Sequence, residues 1–415
     1  MANIIPFRAI RAPRHLAHLV VTRPYYTYAK HVMDAKLESN KFSFLHIINP
    51  EFGLSDRHAP NSTERFSRVF DKFNEFIREG YLIQDIKPNF YIYRQTRGLK
   101  SYTGLICGAD VREYDNDLIK KHESTITSRE EVFVKYLEIT GFNAEPVLLS
   151  HKPNPDLRHL LQSLTQERPE YEFATTDDLK HELWVLPANK ESEISDHYAQ
   201  LDSLYIADGH HRTASSSRLA ALKRDQGCDE CDPSQFFLCY IIDEDELDIF
   251  PFHRVVKDAG NLSQDDFFAK LNESFELATT EIDLPENHNS LILVKGQERF
   301  LLTVKPGKVD FSHPIQCLST QYLTDLILEP LLGIFDQKTS DRIEFVSGFQ
   351  GIGPTLKKLE KYPDGLAFIL YPTSMSQVRK VADEKLIMPP KSTWVEPKLR
   401  SGMTIYSFEN DRSES

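Results

Sequence analysis

Residues 203–225, SLYIADGHHRTASSSRLAALKRD, constrain the fold more than any other stretch. A short apolar run ends in an Asp-Gly step and passes at once into a helix-forming run. This predicts a strand, a tight turn and a helix that begins near Thr213. Gly209 permits a tight or positive-φ backbone. The free N–H groups and positive dipole end of the helix then point back at the turn. His210, His211, Arg212 and Thr213 crowd the same place and form a concentrated set of donors for a phosphate or carboxylate. Asp208 is suited to hold a divalent cation or to take a proton from a substrate hydroxyl. The plainer reading is an Asp-Gly turn with Thr213 as helix N-cap and both histidines solvated.

The rest of the chain mixes strand and helix patterns. Residues 4–10 read as extended, 29–37 as helical, and FSFLHII from Phe42 as a buried strand. Residues 63–79 form the clearest early helix, with Phe66, Val69, Phe70, Phe73, Phe76 and Ile77 on one face and Gly80 as a stop. That stripe suits a core, or else a cofactor. NFYIYRQ and YTGLICG read as a hairpin. Helices are expected at 117–121, 129–139 and 157–164, and strands at EPVLLS, EYEFAT, HELWVLP and FFLCYIID. A polar stretch near 257–263 reads as a linker. Beyond it come strands LILVK, RFLLTVK, RIEFVSG and GLAFILYP, with helices near 322–332, 355–360 and 375–384. The expectation is an α+β protein in two parts, 1–256 and 257–408, with a disordered tail at 409–415 (ENDRSES).

A chain of 415 residues is too long for one small core, in keeping with this division. No apolar run approaches the roughly 18 residues of a membrane span. The N-terminus lacks a continuous apolar segment and a small-residue cleavage site, so no secretory signal is expected. Its Arg content invites a transit-peptide reading, but Ser enrichment is absent. The net charge of −13, with no dense Lys/Arg block, argues against nucleic-acid or anionic-membrane partners. Five cysteines at no framework spacing fit a reducing, cytoplasmic setting.

Two further clusters suit anion chemistry. In the first, His122 and Glu123 precede Ser124 and Thr125, with Arg129 four residues beyond Thr125. No second histidine follows at zincin spacing, so a His-Glu-x-x-His metal site is excluded. Glu123 would supply a carboxylate and Arg129 an anion contact; helix capping and surface charge are the plainer explanation. In the second, Pro389 and Pro390 stiffen a loop carrying Lys391, Ser392 and Thr393, with Lys398 beyond. The loop is expected to face the N-terminal cleft, with Lys391 completing the site, although a solvated Lys-Ser-Thr loop explains the same residues. It is not a P-loop, because no Gly-x-x-x-x-Gly-Lys precedes a helix. Cys228 and Cys231 make half of a zinc spacing without the other half. Gly348, Gly351 and Gly353 imitate a dinucleotide fingerprint but open onto Pro354-Thr355. A serine nucleophile elbow is missing.

Several strings together resemble one family. IPFRAIRAP, HEST, LYIADGHHRTAS and FPFHRVV, with DRIEFVSG and MPPKSTWVEPKLRSG near the end, are similar to the bacterial and archaeal domain-of-unknown-function 1015 family. That family is similar to the ParB and sulfiredoxin superfamily, whose nucleotide-phosphate motif is a Gly-x-His-Arg or Gly-x-Arg-Arg turn at a helix N-terminus. The pattern is occupied by Gly209-His210-His211-Arg212. The resemblance implies a ParB/sulfiredoxin-like N-terminal domain with insertions and a second, α/β-type domain. It also implies phosphoryl transfer, since an archaeal relative is a free-serine kinase using ADP. On this basis ATP or ADP with Mg²⁺ is the expected cofactor. Asp208 or Glu123 would bind the metal or act as base. His122, Gly209, His210, His211, Arg212 and Thr213 would hold phosphates, with Arg8, Arg129 and the Lys391–Thr393 loop as further anion contacts. The partners are then a nucleotide and a small hydroxyl-bearing substrate. The other open reading is a non-catalytic nucleotide-binding regulator. One segment departs from the family: Pro-Pro-Tyr-Asp is replaced by Pro24-Tyr25-Tyr26-Thr27 after Arg23, which removes a carboxylate.

Overall fold

The computed structural model describes residues 3–260 and 262–409. The tail expected at 409–415 lies outside them apart from Glu409. The chain divides into two compact units. One takes the chain up to Leu247 and again from Pro397; the other is Asp248–Glu396. The sequence predicts a boundary at 256, after FPFHRVV. Residues 252–256 instead form a central strand of the second unit, and the chain after Glu396 returns to the first.

The first unit is built on a mixed nine-stranded sheet. Its strands are β1 (Ile4–Ile5), β2 (Tyr91–Arg97), β3 (Lys100–Asp110), β4 (Ile119–Lys120), β5 (Val147–His151), β6 (Tyr171–Thr175), β7 (Leu179–Val185), β8 (Leu204–Asp208) and β9 (Phe236–Asp243). The order is β4-β8-β5-β9-β3-β2-β7-β6, with β1 on β3. The expected hairpin is β2–β3, paired from Tyr91 opposite Ile106 to Arg97 opposite Lys100. All eight residues of β9 are buried, as a continuous apolar run inside a sheet requires.

Three helices matter for the site: α1 (Thr63–Arg78), α2 (Thr127–Thr140) and α3 (His210–Asp225). Ser62 caps α1 by accepting from the Arg65 N–H, and Gly141 ends α2 at φ 69°. The apolar stripe of α1 turns inward. Phe73 packs on Phe142 with the rings tilted by 37° and centroids 4.2 Å apart, and Phe66 meets Tyr136 edge-on at 5.3 Å.

Two sequence expectations fail here. FSFLHII is not a strand but a turn followed by the short helix Leu45–Ile48, because Asn40 accepts from the Phe42 N–H and bends the chain before pairing can start. Such short apolar runs read equally as helix or strand. Residues 117–121 are not helical either. The helix comes earlier, at Val111–Asp115, capped by Asp110, and Asp117 at φ 62° turns the chain into β4.

The second unit holds a six-stranded sheet of β10 (Phe252–Val256), β11 (Phe275–Thr279), β12 (Ser290–Lys295), β13 (Glu298–Val304), β14 (Ile343–Ser347) and β15 (Leu366–Leu370). The order is β11-β13-β12-β15-β10-β14, antiparallel throughout, so this unit is α+β rather than α/β-type. Alternate residues serve two cores. Leu291 and Leu293 pack with Phe267, Tyr322 and Ile327, whereas Ile292 and Val294 pack with Ile352 and Leu359. Among the described residues no helix is long and apolar enough to cross a membrane.

Candidate functional site

Strand pairing explains why distant segments meet at the Asp-Gly turn. Edge strand β4 runs parallel to β8, with Ile119 opposite Leu204 and Lys120 opposite Tyr205. Their C-terminal ends therefore lie at the same edge of the sheet, and the residues just past them, His122 and Asp208 to His210, are neighbours. On the other side β5 runs antiparallel to β8, so its start faces the end of β8, with Asp208 opposite Leu148. That brings Glu145 and Pro146 to the turn.

Helix α3 starts at His210, three residues earlier than Thr213. Gly209 is its N-cap at φ 107°, a backbone that side-chain-bearing residues rarely adopt. His210, His211 and Arg212 thus form the first turn of a 16-residue helix, where N–H groups have no carbonyl partner within the helix. Thr213 is not the cap. Its N–H donates to the Gly209 carbonyl, its hydroxyl donates to the same carbonyl at 3.3 Å, and the residue is fully buried.

His122 and His210 meet edge to face with centroids 4.5 Å apart, and the His122 N–H donates to His210 Nε2 at 3.5 Å. Both rings are buried, so the solvated-histidine reading fails for His210. Neither ring nitrogen of His122 has a hydrogen-bond partner among the described residues. Burial, and then His210, pull the His122 pKa down to about 3. Burial also pulls His210 down to about 4, against the opposing pull of Asp208. Both are neutral at pH 7. They can offer an N–H to an anion but no full charge. Glu123 lies 3.8 Å from His210 Nδ1.

The positive charge comes from Arg212 and from Lys398, the last residue of the Pro389–Lys398 loop. Arg212 Nη2 is 3.3 Å from Asp208, while Nη1 donates to the Pro146 carbonyl at 2.5 Å and lies 3.7 Å from Glu145. Burial pulls the guanidinium pKa down, but Glu145 and Asp208 outweigh it and hold it above its ordinary value. Lys398 Nζ stands 3.7 Å from Asp208. It arrives because the C-terminal segment lies along the start of β5. Ser401 donates to Glu145 at 2.6 Å, and Tyr406–Ser407 pairs with Phe142–Asn143. Tyr26 adds a phenol near the same groups, raised by burial and by Asp208 although 56% of the residue stays exposed.

The other candidates are placed as follows. Arg129 stands exposed in the first turn of α2, and Arg8 donates through Nε to the Asp85 carbonyl at 3.0 Å. In the second unit Arg254, fully buried and lowered to about 9 by that burial, donates to the carbonyls of Phe252, Pro390 and Lys391. It thereby pins the Lys391–Thr393 loop. Ser392 is buried with its hydroxyl on Thr320 and on the Pro389 carbonyl, and Lys391 Nζ lies 5.3 Å from the Phe252 ring centroid. Sequence reasoning assigned no role to Glu145 or Tyr26 and knew Lys398 only as the end of the Pro389–Lys398 loop. Their signals were slight: Glu145 and Glu396 each stand in a Glu-Pro step, and Tyr26 lies in the segment that departs from the family.

The described residues contain no group of three or more His, Cys, Asp or Glu able to hold a metal ion. All five cysteines are free, with Cys107 and Cys239 sulfurs 3.5 Å apart in the buried sheet.

A family model described as "Protein of unknown function (DUF1015)" matches residues 4–321. No curated protein matches the chain. Among solved structures, a free serine kinase mutant in complex with AMP is similar at 13% identity and a TM-score of 0.36, over 72% of this chain and 92% of that one. A mutant of that kinase in complex with ADP is similar at 14% identity and a TM-score of 0.35, over 74% and 95%. SbnI from Staphylococcus aureus, with a C-terminal truncation, is similar at 13% identity and a TM-score of 0.39, over 74% and 90%. At these scores the likeness transfers neither ligand nor activity.

Proposed function

The chain belongs to the DUF1015 family, and from that premise we propose that it is a nucleotide-dependent phosphotransferase acting on the hydroxyl of a small amino-acid-like metabolite. One observation carries the reading: the buried, unpartnered His122 ring lies against His210 at the N-terminus of α3, beside Asp208, Arg212 and Lys398. A buried polar ring without a partner costs free energy unless a ligand satisfies it. The surrounding donors suit phosphate.

In this reading the first unit is a ParB/sulfiredoxin-like nucleotide-binding fold with insertions, as the sequence resemblance implies. The amides after Gly209, with His210, His211, Arg212 and Thr213, hold the donor phosphates of ATP or ADP. Lys398 and His122 support them. Arg8 and Arg129 enter as outer anion contacts. Mg²⁺ needs only one or two protein carboxylates when phosphates supply the rest. Glu123, 3.8 Å from His210 Nδ1, fits that need and leaves the role of base to Asp208; the ion would neutralise phosphate charge.

Phosphoryl transfer is mostly positioning and charge stabilisation. The acceptor hydroxyl oxygen forms a bond to the terminal phosphorus. The bond from that phosphorus to the nucleotide oxygen breaks, and its electron pair leaves on the nucleotide. The hydroxyl proton passes to the Asp208 carboxylate. Arg212 and Lys398, both beside Asp208, stabilise the charge that spreads over the transferring group.

The test is nucleotide consumption with Mg²⁺ and a panel of hydroxy amino acids. Asp208→Asn is expected to slow acceptor-dependent turnover by about a hundredfold or more while nucleotide still binds. Binding without acceptor-dependent turnover in the wild type would favour a nucleotide-binding regulator. Undiminished turnover in Asp208→Asn would remove Asp208 as the base.

A further inference from the structure

Beside the turn lies a cavity of about 450 Å³ within the first unit. Its interior is apolar: Phe66 and Val69 come from α1, Val132 and Tyr136 from α2, with Phe142 and Phe237 behind them. Arg212 and Glu145 also line it, so the cavity and the Asp208 turn share the Arg212 guanidinium. Tyr25 and Phe133 line it too, and they are 57% and 39% exposed.

The cavity opens to solvent at Tyr25 and Phe133 rather than being sealed inside the core. The volume falls in the range of small-molecule pockets. The apolar stripe of α1 is therefore only partly core. Phe73 and Phe76 pack against other rings away from the cavity, whereas Phe66, edge-on to Tyr136, and Val69 also line it.

Most polar lining groups are already engaged. Arg65 pairs with Glu51 at 2.8 Å, and Asn143 Oδ1 accepts from the Leu238 N–H. Asn49 donates to the Leu45 carbonyl, Ser215 to the His211 carbonyl, and Glu145 accepts from Ser401. A nucleobase, with several hydrogen-bonding edge groups, would lose water there without replacement. An apolar ring or branched chain would lose nothing and would cover Tyr25 and Phe133.

We propose that this cavity is the acceptor subsite, and that the acceptor is an amino-acid-like compound with a hydroxyl and an aromatic or branched apolar body. The body fills the cavity. The hydroxyl sits past Arg212, at Asp208, where its oxygen takes the phosphoryl group and its proton goes to the carboxylate. This inference rests on the phosphotransfer reading of the turn and narrows its substrate class.

The probes are L-serine and β-phenylserine, titrated calorimetrically into the full chain saturated with ADP and Mg²⁺. Phenylserine is expected to bind about tenfold tighter than serine or better, the scale on which a pocket separates apolar groups. Val132→Trp, which fills the cavity from the half-buried face of α2, is expected to abolish that preference and leave ADP affinity within about twofold. Val69→Phe is a smaller filling change for use if the tryptophan variant fails to fold, and the same result is expected. Equal binding of the two compounds to the wild type overturns the inference. So does a filled cavity that weakens ADP instead, which would make it the base site. If ADP does not bind the wild type, the phosphotransfer reading fails. Phenylserine binding that persists without ADP, and is lost on filling, would then leave an apolar-ligand site alone.

Discussion

His122 follows the charged pair Lys120-Lys121 and precedes Glu123, surroundings that suggest a solvated residue, yet it is 1% exposed. Its burial has a pH consequence. An unfolded histidine titrates near 6.5, whereas His122 and His210 are lowered to about 3 and about 4 in the fold. Between about pH 6.5 and those values the unfolded chain binds more protons, so stability falls as pH falls. Each histidine steepens the slope by about 1.4 kcal/mol per pH unit inside the window. Denaturant unfolding between pH 7 and 4.5 should show a shallower slope in His122→Asn than in the wild type. Parallel slopes would mean that the ring is not buried neutral. The residue could be named from the sequence but its state could not, because desolvation depends on the parallel pairing of β4 with β8, and two-residue strands leave almost no periodic signal.

At the scale of the element, the strand–turn–helix unit depends on Gly209. A Cβ there would lie 3.2 Å from the Arg212 guanidinium, and the φ of 107° disfavours any side chain. Gly209→Ala is expected to cost about 1–2 kcal/mol of stability and to weaken anion binding by shifting Arg212. A melting curve together with an ADP titration checks both, and a fully stable variant with normal binding would mean that the turn is not strained. This element was legible because its three parts carry independent signals: an apolar run, an Asp-Gly step and a helix-forming run. Only the first helical residue was misjudged, since Gly209 rather than Thr213 is the cap. A run as short as FSFLHII fits either period, and Asn40 decides it, accepting from the nearby Phe42 N–H and donating to the distant Leu19 carbonyl. The strand Phe252–Val256 was assigned to the wrong unit because its apolar character says nothing about which sheet it joins.

Across the whole molecule, the least legible feature is the return of the chain after Glu396. It places Lys398 on Asp208 and buries Met403, Ile405 and Tyr406 in the first unit. Nothing in the local sequence distinguishes a solvated lysine loop from one that comes back 190 residues in sequence after Asp208. Each of the three buried side chains is worth about 2 kcal/mol. Ending the chain at Glu396 should lower the melting temperature by about 10 °C or more; an unchanged melt would mean that the segment is only loosely attached. The claim on which the functional reading depends is that Arg212 and its neighbours hold a nucleotide phosphate. Its most direct test is calorimetric titration of ADP and ATP with Mg²⁺ into the wild type and Arg212→Ala. Binding to the wild type, weakened by about tenfold or more in a variant that melts normally, is the expected result, since a charge-assisted bond is worth about 1.5–3 kcal/mol. No binding to the wild type, or equal binding to both proteins, would contradict it.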